Sequence, residues 1–389
     1  MNKLVIKCGM LIDCVDEELK ANKFVYIDDG IISRITDFLE EGYEVVDYSD
    51  YTVLPGLINC HTHICLQPVA NTDDILKYTI PEQTIIAAEN AKKYLYSGVT
   101  TIRDMGGISG IDLAVRNAIN ADMIEGPQIM ASGQLLTMTG GHGHTIGMEC
   151  DGIDECLKGA RTQLKRGADI IKFMATGGVL TKGVEPGSAQ LSEEEMSVMV
   201  KEAHKKNKKT ASHAQGNEGI QNAIRAGVDS IEHGFYMSEE TADMMKDNDV
   251  YYIPTFSPPH FILKNGIEAG IPYEFVRKTE ESEYAHQKSF LMCKERGVKI
   301  AAGTDGGTPF NLHENTYFET KLLKESGMTA YEAILATTLV AAKCLALEDR
   351  GMISEGKRAD IIAVKGNPLE HIDCLKDVAG IIKNGKVIK

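Results

Sequence analysis

Hydrophobic and polar positions follow two textures along this chain. The first 52 residues read as short strands joined by turns, at 4–7, 24–27, 31–36 and 44–48, and Asp29-Gly30 between apolar runs is a hairpin signal. The C-terminus repeats that texture, with strands at 360–364, 378–383 and 386–388 separated by Gly366-Asn367-Pro368 and Asn384-Gly385. From about residue 53 to 350 the pattern becomes apolar strand, Gly-rich or polar loop, then amphipathic helix. Strands are expected at 53–58, 99–103, 128–131, 169–174, 210–213, 230–233, 251–254 and 299–303. Helices are expected at 82–97, 113–122, 153–166, 193–206, 239–247 and 275–296.

Eight strands alternating with helices predict an α/β fold, a (β/α)8 TIM barrel at 55–351. A small β-sandwich-like domain is expected from both chain termini, 1–54 and 352–389. An open dinucleotide-binding sheet is the competing architecture, but no G-x-G-x-x-G follows the first strand. The Gly140-Gly141 and Gly177-Gly178 loops lack the Gly-Lys-Ser/Thr of a phosphate-binding loop. Two longer stretches, 67–81 and 256–272, read as loops that wall or cover a site, or that mediate oligomer contacts.

Composition narrows the function classes. At 389 residues, 43% hydrophobic and 25% charged, the chain is of ordinary globular make-up. A formal net charge of -15 argues against nucleic acid or an anionic membrane as partner. The apolar run at 1–7 is too short for a signal peptide, and no stretch approaches the roughly 18 apolar residues of a membrane span. Nine cysteines without C-x-x-C spacing read as reduced thiols, and a cytoplasmic location is expected.

Candidate chemistry begins at His61-Thr62-His63, after the first barrel strand. Residues i and i+2 of a strand point the same way, so both imidazoles leave one face while Cys60 takes the opposite, core-facing side. Other chemistry-bearing residues fall at later strand ends: Lys172, His213, His233 and, just after the eighth strand, Asp305. Period 2 turns Lys172 inward with Ile170 and Met174, where its charge loses solvation. Taken singly, each has a structural explanation: a helix cap for His213, a core hydrogen bond for His233, a turn for Asp305. Six such groups at homologous ends of five strands point to a shared site.

The chain resembles the amidohydrolase superfamily, in its imidazolonepropionase, prolidase and Zn-dependent carboxypeptidase branch. The carriers are Pro55-Gly56-Leu57-Ile58-Asn59-Cys60-His61-Thr62-His63, Ile171-Lys172-Phe173, Ser212-His213-Ala214, Ile231-Glu232-His233-Gly234 and Gly303-Thr304-Asp305. Gly356-Lys357-Arg358-Ala359-Asp360-Ile361 with Gly366-Asn367-Pro368-Leu369 resembles the family's small terminal β domain. The resemblance implies two divalent metal ions, usually Zn2+. His61, His63 and Asp305 would bind one and His213 with His233 the other, and Lys172 would bridge them as a carbamate. It also implies hydrolysis of an amide bond by a metal-bridging hydroxide, with Asp305 accepting its proton and passing it to the leaving nitrogen.

On the same resemblance, His142 in Gly140-Gly141-His142-Gly143-His144 and Tyr236 after His233 fall where relatives hold a substrate α-carboxylate. His144 stands where many relatives carry an acid, so it either adds a donor to the site or steadies its own loop. Arg103, after the second strand, either faces the site or pairs with a nearby acid. The expected substrate is a dipeptide or N-acyl amino acid with a free carboxylate, and a homo-oligomer is expected. Cyclic amide hydrolysis, imidazolonepropionase- or hydantoinase-like, is the rival. Deamination ranks low because Ala214-Gln215-Gly216 after His213 lacks the usual glutamate, and a non-catalytic scaffold ranks low because every ligand is present.

Overall fold

The computed structural model describes residues 3–389; Met1 and Asn2, the start of the N-terminal run, lie outside the described residues. The two chain ends meet in one mixed seven-stranded sheet. Its order runs Lys386–Val387, Val378–Lys383, Ile361–Val364, Glu44–Pro55, Lys3–Leu11, Lys20–Asp28, Ile31–Thr36. Hydrogen bonds join all seven strands into one sheet with its own core, in which Ile27 and Ile32 of the N-terminal strands share an apolar cluster with Ile361 and Ile382 of the C-terminal ones. Ile361–Val364 pairs antiparallel with Glu44–Pro55 (Ile361 opposite Pro55), which is where N- and C-terminal segments lock together. Its unbroken apolar run suits burial on both faces: Ile361 and Ala363 join the sheet's own core, and Ile362 and Val364 pack with Tyr94, Leu95 and Val99.

The expected strand at 53–58 is divided at Gly56. Residues up to Pro55 end the terminal sheet, and Leu57–Thr62 opens a parallel one. The cause is a close approach: a Cβ at 56 would sit 2.4 Å from the Thr100 side chain. Leu57–Thr62, Val99–Asp104 and Gln128–Ala131 form a three-stranded parallel sheet. Met148–Glu149, Leu136–Thr137, Ile170–Met174, Lys209–Ala214, Ser230–His233 and Tyr251–Ile253 form a six-stranded one.

The expected eighth strand at 299–303 makes only an isolated bridge, Tyr252 with Ile300. Its backbone still spans the gap: Ala301 N–H donates to Tyr252 O (3.0 Å) and Cys60 N–H to Ala302 O (2.8 Å). The observed architecture is therefore two parallel arcs linked by this segment, not one continuous ring of ladders. A Cβ at Gly303 would lie 2.6 Å from His61 Cβ, and past it the chain stays beside the first strand, with Asp305 N–H donating to His61 O (2.7 Å) and His63 N–H to Gly306 O (3.1 Å).

The inward and outward alternation of Ile170–Met174 holds. Ile171 and Phe173 pack with Met196, Met199 and Ala203, apolar positions of the helix Glu193–His204. Ser192 caps that helix, with Glu195 reaching back to the cap. The 256–272 stretch is not a loop throughout: it contains the helix Ser257–Asn265, where Pro258 and Pro259 occupy the first turn and no amide N–H is missed. Buried Glu319 fixes its start, accepting from Phe256 N–H and Ser257 N–H (both 2.8 Å) and the Ser257 hydroxyl (2.5 Å). The 67–81 stretch likewise holds a 3-10 turn, Thr72–Lys77, capped by Asn71. No helix among the described residues is long and apolar enough to cross a membrane.

Candidate metal centre

The ends of the parallel strands bring His61, His63, Lys172, His213, His233 and Asp305 to one cavity of about 280 Å³. His61 Nε2 and His63 Nε2 each lie 3.4 Å from Asp305 Oδ1. One ligand atom from each of His61, His233 and Asp305 falls within 4.8 Å of the others, close enough together to hold a metal ion. The His213 and His233 ring centroids are 4.6 Å apart, and those of His61 and His233 5.0 Å.

The partners of the far ring nitrogens decide which nitrogen keeps a lone pair. His63 Nδ1 lies 2.6 Å from the Gly106 carbonyl and His213 Nε2 lies 2.9 Å from the Gly177 carbonyl. A carbonyl only accepts, so those nitrogens carry the proton. His61 Nδ1 donates to Glu232 Oε2 (2.7 Å). The Thr255 hydroxyl donates to the Pro254 carbonyl (2.6 Å) and therefore accepts from His233 Nδ1 (2.7 Å). All four imidazoles thus keep an unprotonated nitrogen as a ligand. Burial, the largest influence, holds His61, His213 and His233 well below the usual histidine range and His63 at about 4, so the rings are neutral.

Lys172 is buried and its Nζ has no hydrogen-bond partner among the described residues. Burial lowers its pKa to about 8; Glu232 opposes that shift and Arg103 adds to it. Burial likewise raises Asp305 to about 7, against the pull of Lys172. An orphaned buried nitrogen beside neutral imidazoles and a carboxylate fits a cation site better than it fits a finished core. Backbone strain gathers here too: His233 (φ 73°), Thr255 (φ 54°) and Asp305 (φ 52°) adopt left-handed conformations, which is unusual for non-glycine residues and most of all for a β-branched one.

Of the other candidates, His142 and His144 line the cavity and Tyr236 does not. The His142 ring packs on His213 (centroids 4.2 Å apart), and its Nδ1 meets Thr181 Oγ1 at 2.7 Å. Burial, then the charges of Lys172 and Lys278, push His142 down to about 3. His144 Nδ1 donates to Gly141 O (2.9 Å), which steadies its own loop while the ring stays at the cavity wall. Tyr236 is half-buried, in edge contact with Phe235. Arg103 is fully buried and donates to Glu232 Oε1 (2.8 Å), Ser230 Oγ (3.0 Å) and Cys60 O (2.5 Å), so it pairs with an acid and does not face the cavity. Cys60 packs on the helix side with Ala341, Ala342 and Cys344.

Glu232 is the functional group that the sequence reading did not single out. Alternation pairs Glu232 with Ser230 on the face opposite His233, and the left-handed backbone at His233 (φ 73°) breaks that pattern, so alternation gave no signal for Glu232. Thr255 and Thr181 carried no signal either. Each acts on a histidine 22 or 39 residues away along the chain.

Comparison with known proteins fits this site. The chain matches the amidohydrolase family model over residues 52–388. It is 32% identical to the ochratoxinase of Aspergillus niger, over 99% of this chain and 86% of the ochratoxinase. The crystal structure of a Xaa-Pro dipeptidase with bound methionine superposes with a TM-score of 0.94 at 36% identity, covering 100% of both chains. A prolidase complexed with N-methylphosphonate-L-proline gives 0.93 at 28% identity, covering 100% of this chain and 99% of its own. The chain belongs to the amidohydrolase family and is an enzyme that acts on amide bonds.

Proposed function

We propose that this enzyme is a binuclear metal-dependent hydrolase that cleaves the amide bond of a dipeptide or N-acyl amino acid bearing a free α-carboxylate. One observation carries the reading: the neutral histidines, Asp305 and orphaned Lys172 Nζ share a cavity with His142, a neutral imidazole able to donate to a carboxylate. The dipeptidase and prolidase likenesses support the same substrate class.

His61, His63 and Asp305 would hold one divalent cation, Zn2+ by their donor types, and His213 with His233 the other. Lys172, as a carbamate formed with carbon dioxide, would supply both with anionic oxygen. Bound there, the cations supply an acidified water and polarisation of the scissile carbonyl. Asp305 takes up a proton at its carboxylate and returns it to the leaving nitrogen. Glu232 keeps His61 turned so that Nε2 faces the site, and Thr255 does the same for His233. Leu66, Leu135, Ile146 and Met174 give the cavity an apolar wall.

The test is a hydrolysis screen of the zinc-loaded protein on Xaa-Pro, Xaa-Arg and N-acyl amino acids beside their C-terminal amides. Cleavage of free acids in preference to amides is expected. Equal cleavage of the amides would remove the carboxylate from the reading. Silence toward both, with turnover of hydantoin-type or imidazolone rings, would replace it with cyclic amide hydrolysis.

A further inference from the structure

Lys278, in the second turn of the helix Tyr273–Arg296, is a lysine that no step above uses, and its side chain is fully buried. Lysine is almost never enclosed unless its charge is fully engaged. Here Nζ donates to the Thr181 carbonyl (2.7 Å) and pairs with Glu274 Oε1 (2.8 Å) one turn back on the same helix. Glu274 Oε1 in turn accepts from Gly183 N–H (2.9 Å), and Arg277 pairs with Glu185 (2.8 Å). Three consecutive fastenings thus tie one helix to the loop that follows the Lys172 strand, at residues 181, 183 and 185.

The fastened loop touches the cavity through Thr181. Its hydroxyl oxygen accepts from Gly143 N–H (3.4 Å) and lies 2.7 Å from His142 Nδ1. The same loop supplies Gly178, over which the His142 ring lies; a Cβ there would be 2.5 Å from His142 Cε1. Gln190, further along, accepts the His142 backbone N–H (3.0 Å). The His142 ring is therefore placed by loop atoms, and the loop by Lys278.

Resting on the carboxylate reading above, we infer that Lys278 is a positioning residue: through Thr181 it fixes the rotation and tautomer of His142, and so the enzyme's preference for a free carboxylate. On this inference the Thr181 hydroxyl is the donor in its 2.7 Å contact with Nδ1, which puts the His142 proton on Nε2, the nitrogen left to donate to an anion. Loosening the latch lets the loop and ring turn. The loss falls on substrates that need that donor.

The experiment uses the full-length metal-loaded enzyme with Lys278→Met, Thr181→Val and the double variant, each on a free acid and its C-terminal amide. The ratio of kcat/KM for acid over amide is expected to fall about tenfold in either single variant, the scale of one lost hydrogen bond to an anion. KM for the acid should carry the loss rather than kcat. The double variant should fall no further, because both changes break one chain of contacts. Tryptic cleavage after Lys182, inside the latched loop, should be faster in Lys278→Met than in the wild type. An unchanged cleavage rate overturns the latch. Faster cleavage with an intact acid-to-amide ratio overturns its hold on His142. A wild type indifferent to the C-terminal amide overturns the carboxylate reading instead, a result read on the unmutated enzyme and so separate from the other two.

Discussion

At the scale of single residues, the groups that would touch metal are set by groups that would not. Glu232 is fully buried between His61 and Arg103, and it satisfies both. Glu232→Gln would leave the Arg103 guanidinium buried without its counter-charge and weaken the acceptor behind His61. Breaking a buried pair typically costs about 3–5 kcal/mol, and losing such a metal-ligand orienter about 10–100-fold in metal affinity. Both effects are expected, read by denaturant unfolding of the metal-free protein and by metal titration; unaltered metal affinity would refute the orienting role. Lys172→Ala is expected to abolish turnover, with partial recovery on adding a small carboxylic acid that replaces the bridging oxygens. Full activity without rescue would end the carbamate proposal. The candidate ligands were legible in the sequence because strand ends are readable and their spacing is local. Glu232 acting on His61 across 171 residues was not, since that contact exists only once the sheet has formed.

At the scale of elements, the sequence pattern located most helices to within a few residues, because amphipathic periodicity and caps are local. The helix expected at 239–247 is found as Glu239–Asp247, and that at 275–296 as Tyr273–Arg296. It failed where a backbone passes from one sheet to another. Val53 to Ile58 is one apolar run, and nothing local says that Gly56 must give way to Thr100. The edges of the parallel strands show the same dependence on distant partners. Asp229, just before Ser230–His233, binds the start of Lys209–Ala214: it accepts from Thr210 N–H (2.8 Å) and Thr210 Oγ1 (2.9 Å), with Lys209 Nζ at 2.7 Å and His204 Nε2 at 2.8 Å. Burial alone would raise its pKa, but the bonds from Lys209, His204 and Thr210 outweigh that and hold it below the usual carboxylate value. A depressed folded-state pKa stabilises above the unfolded value, about 3.9 for Asp, and the gain disappears as pH falls through the lower folded value. Asp229→Asn should therefore cost about 1–2 kcal/mol at neutral pH. The difference from wild type should narrow below about pH 4 in urea unfolding curves. A pH-independent difference would assign the loss to packing rather than charge.

At the scale of the whole molecule, the terminal sheet and the parallel arcs are not insulated from each other. One apolar cluster runs from Ile362, Val364, Val378 and Ile381 of the sheet, through Ala87, Ala91 and Leu95 of the helix Ile80–Tyr96, to Val99 and Ile102 of the strand Val99–Asp104. That strand also carries Arg103, which reaches Glu232 and, through it, His61. Apolar contacts of this extent predict that the two proposed parts, 1–54 with 352–389 and 55–351, melt together rather than as independent units. Metal removal tests this. Ions that bind only the folded state stabilise it by RT ln(1 + [L]/Kd), about 4 kcal/mol at a thousandfold excess over Kd. Chelation should lower the melting temperature of the entire protein in a single transition, with the terminal sheet unfolding together with the site. If calorimetry instead shows two transitions and chelation moves only one, the terminal sheet is a separate cooperative unit. Its tie to the site through Val99–Asp104 would then be contact without coupling.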